Sequence, residues 1–320
     1  MLILFPSNPA NPSQPEPSFN NEVQAAKDIG FEVGFFDSEF QLGGEVKLRK
    51  VPRVLVGTNA LYRGWLCSPS QYDALVSKVW SLGYSMITSE NQYRDAYELP
   101  RWYETFKEHT PHSLILPGIS FRAPDGLVKA SIKDFDLDAV ADVVSCEFGN
   151  KPVIVKDWVK TQKHHWFEAC YIQSANDKQD TKRVVEAFLR LQGDMFYGGL
   201  VFRQFVNFKQ VGIHPKSRLP LVNEWRTFFW YGRPIISSPY WKDGVQKEQE
   251  PPPNSLLDEV GNLLADQLLA FVAVDVAQKE DGKWMVVEIN DAGAAGIPDS
   301  ITPQEFYTVL VKAIKEWKPR

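Results

Sequence analysis

The chain has 320 residues, 44% of them hydrophobic and 23% charged, with a formal net charge of −5. That mix excludes a disordered or fibrous chain and leaves length for two domains, or one large α/β domain, around a sizeable core. No stretch approaches the roughly 18 apolar residues of a membrane span and no basic-then-apolar leader opens the chain, while Cys67, Cys146 and Cys170 have neither disulfide nor metal-ligand spacing, so the expected location is cytoplasmic and no membrane partner is expected.

In chain order, Leu2 to Phe5 reads as a short buried strand, followed by a Pro-, Asn- and Ser-rich extended loop to Phe19. A helix is predicted over Asn21 to Ile29, ended by Gly30, then a strand through Phe31 to Phe36 and another over Val51 to Val56. Ser68 opens a helix to Leu82 that Gly83 closes, and Tyr84 to Thr88 continues the alternation. This strand-helix-strand rhythm predicts a small N-terminal α/β domain over residues 1–110, with a mostly parallel sheet and a boundary near Thr110-Pro111. Beyond it, Val153 to Val155, Ala169 to Ile172, Leu200 to Val206 and Trp225 to Trp230 read as strands, and Asp180 to Leu191 as a helix. A Pro- and acid-rich connector, Glu248 to Asn254, leads to a helix over Leu256 to Leu269 with Ser255 as its N-cap, and a helix from Pro303 to Trp317 closes the chain.

Two carboxylates near the end of this series carry the most chemistry. Asp275 and Glu288 lie in apolar runs, Phe271 to Ala277 and Trp284 to Asp291, joined by a polar stretch containing Asp281-Gly282. Asp-Gly between β-prone runs signals a two-residue hairpin. A turn centred there sets Asp275 directly opposite Glu288, with Cβ atoms about 5 Å apart, and puts Asn290 on the same face. Facing like charges destabilise a sheet unless something positive lies between them; oxygen ligands in this arrangement suit a divalent cation such as Mg²⁺.

Lys156 ends an apolar run, Lys151-Pro-Val-Ile-Val-Lys156. A buried ammonium needs an anionic partner, and its stem can run along apolar surface to deliver the charge to a phosphate. Arg226 stands in a similar setting within Asn223-Glu-Trp-Arg-Thr-Phe, and its planar fork suits a phosphate or a developing oxyanion. From Lys151 to Arg233 the chain holds twice as many basic as acidic residues, although the whole is acidic. That pattern fits a localised anion site better than a general nucleic-acid coat.

Taken in order, the segments from Lys151 to Pro298 resemble the ATP-grasp superfamily. The run from Lys156 to Cys170, with Gly198 to Phe205 and Phe271 to Ala277, is similar to a clade with an arginine-and-lysines signature. The resemblance implies an ATP-grasp fold, two α+β subdomains clasping ATP over residues 111–320, preceded by the small α/β domain. It implies Lys156 over the nucleotide phosphates, the segment Arg203-Gln204-Phe205-Val206 against adenine, Arg226 as a catalytic arginine, and Asp275, Glu288 and Asn290 on Mg²⁺. Asp291 competes with Asn290 as third ligand, because the clade usually ends this strand with Asp. The usual glycine-rich phosphate loop is missing; Lys160, Lys163, His164 and His165 occupy its place, with Lys163 a candidate for ATP.

The function this implies is an ATP- and Mg²⁺-dependent ligase. It activates a carboxylate as an acyl phosphate for an amine or similar nucleophile, with ADP and phosphate as products and with substrates that are small molecules or peptides. Two alternatives stand beside it. One is nucleic-acid end joining, in which Trp158, Trp166, Phe202, Phe208, Trp225 and Trp230 stack bases. The other is a nucleotide-binding regulator without turnover.

Overall fold

The computed structural model describes residues 1–37, 40, 44–55, 57–118, 120–122, 128–130, 135–215 and 218–317. The chain divides into two compact units that do not follow a cut at residue 110. One comprises Met1–Tyr97, Lys209–Gln278 and Val286–Arg320; the other comprises Glu98–Phe208 and Lys279–Met285.

In the first unit, Leu2–Asn8 is central to a sheet. It pairs in parallel with Glu32–Phe36 on one side and with Thr58–Tyr62 on the other, and Tyr84–Met86 continues it beyond Thr58–Tyr62. Parallel pairing demands crossovers, and the helices Asn20–Asp28 and Pro69–Trp80 supply them. The second helix begins with the expected cap, in which the Ser68 hydroxyl accepts from Gln71 N–H and the Gln71 side chain accepts from Ser68 N–H. The strand expected over Val51 to Val56 is replaced by Thr58–Tyr62. Residues 51–55 form no strand and Leu55 is 92% exposed; Val56 lies outside the described residues. Pro52 lacks the N–H that a central strand donates, whereas Ala60, Leu61 and Tyr62 are buried. Asn11–Pro15, expected as loop, pairs antiparallel with the first strand near Ser7 and Asn8.

The same unit holds an antiparallel sheet in the order Arg233–Pro239, Glu224–Trp230, Phe271–Gln278, Trp284–Asp291. Its apolar face shares a core with the N-terminal segment: Ile3, Phe5 and Leu61 join Phe228, Trp230, Phe271 and Phe306 in one buried cluster. That shared core explains why residues 1–97 are not a separate body. The helix Asn254–Asp266 begins earlier than expected, after Pro253 and with no side-chain cap, so Ser255 lies inside it. The closing helix, Pro303–Glu316, begins with a Thr302–Glu305 capping box.

The second unit is built on an antiparallel sheet in the order Tyr171–Ile172, Val153–Asp157, Gly199–Gln204, Ser113–Pro117. The helices Leu137–Phe148 and Lys178–Gln192 cover it, and Val144, Val153, Val155, Phe188, Leu200 and Phe202 are fully buried there or nearly so. Among the described residues no helix is long and apolar enough to cross a membrane.

Candidate active site

Strand pairing creates the first cluster. Arg226 stands opposite Asp275 in the register between Glu224–Trp230 and Phe271–Gln278. Arg226 Nε and Nη2 donate to the two Asp275 oxygens, each at 2.7 Å, and both side chains are buried. Such a two-pronged contact fixes both planes and is the strong form of the pair. The remaining Arg226 nitrogen, Nη1, donates to Gly296 O at 3.0 Å, and the guanidinium lies 4.8 Å from the centre of the Tyr240 ring.

Three acids surround this arginine. Glu224 precedes it by two residues on the same face of the strand and accepts from Trp241 Nε1 at 3.0 Å. Withdrawal from water, then the Asp275 charge, push its carboxyl up to about 8. The fields of Asp275 and Glu288 both act on Arg226 and on Tyr240; burial first, then these acids, push the Tyr240 phenol up to about 12. The charge resting between the acids is therefore a guanidinium. Asp275 and Gly296 engage three of the five Arg226 N–H groups.

The turn also departs from expectation. Gly282 N–H donates to Lys279 O at 3.0 Å and Lys279 N–H to Lys283 O at 2.7 Å, so three residues, Glu280 to Gly282, close it. Only Gly282 has positive φ, at +85°, while the Asp281 side chain accepts from Lys283 N–H at 3.0 Å. At the far end Ala292 N–H donates to Phe271 O at 3.1 Å, one residue out of step with the turn and in the register that sets Asp275 opposite Glu288. A slip of this kind is the work of a bulge.

The strand's last two residues part company. Asn290 is partly buried and alternates onto the Glu288 face. Asp291 is buried on the other side: its Oδ1 accepts from Ala294 N–H at 3.2 Å, and burial raises its carboxyl to about 6 beside Thr88 and Arg63. Its charge acts on Tyr62, Tyr72 and Tyr93.

In the second unit Lys156 is 8% exposed, opposite Val201, and its charge acts on Asp157 and on the Cys170 thiol. Asp157 organises the loop that follows. Its Oδ1 accepts from Val159 and Lys160 N–H, and its Oδ2 from Gln192 Nε2 at 2.6 Å and Tyr197 N–H at 3.3 Å. Lys160, Lys163, His164 and His165 are exposed on that loop, with Lys163–His165 forming a 3₁₀ turn. Arg203, opposite Ile154 and so on the Lys156 face of the sheet, donates to Thr110 Oγ1 and lies 5.8 Å from the centre of the Trp102 ring. Gln204 N–H donates to His112 O and Phe205 N–H to Pro152 O, whereas Val206 N–H has no partner among the described residues.

Residues 147–310, just over half of the chain, match an ATP-grasp domain, family 3 of the arginine-and-lysines clade. The chain belongs to that ATP-grasp family. No curated protein matches the sequence. Among solved structures it is similar to a RimK domain ATP-grasp protein from Sphaerobacter thermophilus, at 13% identity and TM-score 0.58, covering 98% of both chains. It is similar also to D-alanyl-alanine synthetase A from Vibrio cholerae, at 11% and 0.56, covering 98% of this chain and 97% of that one. A third is the ATP-grasp ligase PsnB in complex with minimal precursor, Mg and ADP, at 12% and 0.55, covering 98% of both. At these identities the likeness is one of fold.

For an ATP-grasp chain the donor chemistry of the acid–arginine cluster fits a hard divalent cation. Glu224, Asp275, Glu288 and Asn290 offer oxygens on neighbouring strands. Burial first, and then the Asp275 charge, raise the Glu224 carboxyl, so the site holds its acids close enough to feel one another. Among the described residues no three acid, His or Cys groups converge closely enough to hold an ion as they stand. Glu224 was not among the candidates read from sequence. The signal was there in Glu224-x-Arg226, a strand alternation that puts both side chains on one face.

Proposed function

We propose that this ATP-grasp protein is an ATP- and Mg²⁺-dependent ligase that joins a carboxylate to an amine or related nucleophile. The observation that carries the reading is the cluster of Glu224, Arg226, Asp275 and Glu288, a cation-seeking acid set with a guanidinium fixed at its centre. In the reaction a carboxylate oxygen of the substrate bonds to the γ-phosphorus as the bond to the bridging oxygen breaks, giving an acyl phosphate and ADP. The amine then bonds to the acyl carbon, phosphate leaves, and the amine gives up a proton. Mg²⁺, when bound, neutralises the phosphoryl oxygens. Asp275, Glu288 and Asn290 are the residues to hold it, with Glu224 as an added donor once it ionises. Lys156 meets the phosphates, and the Val206 N–H with neighbouring carbonyls meets adenine. Catalysis on this account is positioning and charge stabilisation, with no nucleophilic side chain.

Base stacking as in nucleic-acid joining finds little support. Phe202 and Trp230 are core residues, and Trp158, Trp166, Phe208 and Trp225 are each partly buried. The test is the position of ATP cleavage. α-Labelled ATP incubated with Mg²⁺ and a pooled set of amino acids and peptides should yield labelled ADP. Label retained on the protein or on a nucleic-acid end, with pyrophosphate released, overturns the reading.

A further inference from the structure

Among the described residues Arg63 is one of the most deeply buried charged groups outside the acid–arginine cluster. It is 1% exposed and follows directly on the strand Thr58–Tyr62. Its Nε and Nη2 donate to the two Glu22 oxygens at 2.9 and 2.8 Å, and Tyr307 Oη donates to the same carboxylate at 2.9 Å. Its Nη1 reaches three backbone oxygens of one loop: Ala292 O at 3.0 Å, Gly293 O at 3.2 Å and Ala295 O at 2.6 Å. Gly64 N–H adds a bond to Gly293 O at 3.0 Å. At Gly293 an added Cβ would lie 2.3 Å from Tyr62 O, so only glycine lets the two backbones approach this closely.

Three carbonyl oxygens from four consecutive residues turned on one point repel one another unless a cation lies between them. Arg63 is that cation. The next carbonyl along the loop, Gly296 O, accepts from Arg226 Nη1, whose other donors hold Asp275. The loop therefore lies between two arginines, one bound to Glu22 and the other to Asp275.

We propose that Arg63 is a positioning residue. By fixing the Ala292–Gly296 loop it sets the Gly296 carbonyl, through it the Arg226 guanidinium, and so the orientation in which Asp275 offers its remaining lone pairs to a divalent cation. The proposal rests on the metal reading of the cluster. It assigns a role in that site to a residue of the N-terminal sheet that never touches the ligand.

The test uses Arg63→Lys, which keeps the charge but lacks the fork needed to serve Glu22 and the loop together. Calorimetric titration with ADP, with and without Mg²⁺, reads the tightening that the metal confers. Supporting groups around metal ligands are typically worth about 10- to 100-fold in metal affinity, and a loss of that size is expected while ADP binding without Mg²⁺ stays at the wild-type value. Hydrogen exchange should show faster amides at Gly293 to Gly296 and unchanged rates in the strands Leu2–Asn8 and Glu224–Trp230. Retention of the full Mg²⁺ effect overturns the proposal, and so does an equal loss with and without metal, which would mark Arg63 as a support of the fold. Should Arg63→Lys not fold, Glu22→Gln carries the same test, with a smaller loss in the same direction. Asp275→Asn is the control: if it keeps the Mg²⁺ effect, the metal reading itself fails, a result separable from failure of Arg63 alone.

Discussion

Arg226→Met removes a cation that Glu224, Asp275 and Glu288 share, and the consequence can be sized. The side chains of Arg226 and Asp275 are 9% and 3% exposed, so solvent screens their contact little. Breaking a pair of this kind by deleting one partner costs about 3–5 kcal/mol, because the survivor is left charged and buried. For a body of roughly 200 residues that is a fall of about 6–20 °C in melting temperature. Asp275→Leu should cost less, since Arg226 keeps its bond to Gly296 O and remains in the field of Glu288. The double variant should be more stable than Arg226→Met alone, because an apolar pair of similar volume carries no stranded charge. Urea unfolding of the wild type, both single variants and the double, followed by circular dichroism, gives the cycle. A cost below about 1 kcal/mol for Arg226→Met, the range of exposed ion pairs, or strict additivity in the double, would refute the argument.

Stability without ligand should fall as pH rises from about 4.5 to about 8. Glu224 ionises near its ordinary 4.5 when unfolded but near 8 when folded, so the unfolded chain binds fewer protons across that window. Glu224→Gln should flatten the fall in melting temperature between pH 6 and 8, and an unchanged slope would contradict the assignment. Asp275→Asn and Glu288→Gln should remove the MgATP-induced rise in melting temperature while leaving the unliganded protein folded; differential scanning fluorimetry decides, and a full rise in either excludes it as a ligand. Lys156→Met should weaken ATP binding while leaving adenosine binding near its wild-type value, as titration calorimetry would show. Equal losses for both would mean that Lys156, 8% exposed in its strand, serves the fold.

Local chemistry made much of this protein legible from sequence. The Ser68 cap, the alternation that buries Val153 and Val155 ahead of Lys156, and the two apolar strands bearing Asp275 and Glu288 all follow from period, capping and turn residues within a few positions of one another. The ATP-grasp family follows too, because its signature is a set of short segments in fixed order. What the sequence could not supply is what meets across the fold. Nothing near Asp275 in the chain names Arg226, 49 residues away, as its partner; the register between two strands decides it. Nothing near the Ala292–Gly296 loop names Arg63, more than 200 residues away, as the cation its carbonyls need. Asn290 and Asp291 are adjacent in sequence, yet only the sheet, by turning successive side chains to opposite faces and burying one of them among tyrosines, separates their surroundings. Propensities act over a few residues, whereas charge pairing acts over a few ångströms, and it is folding that converts the one distance into the other.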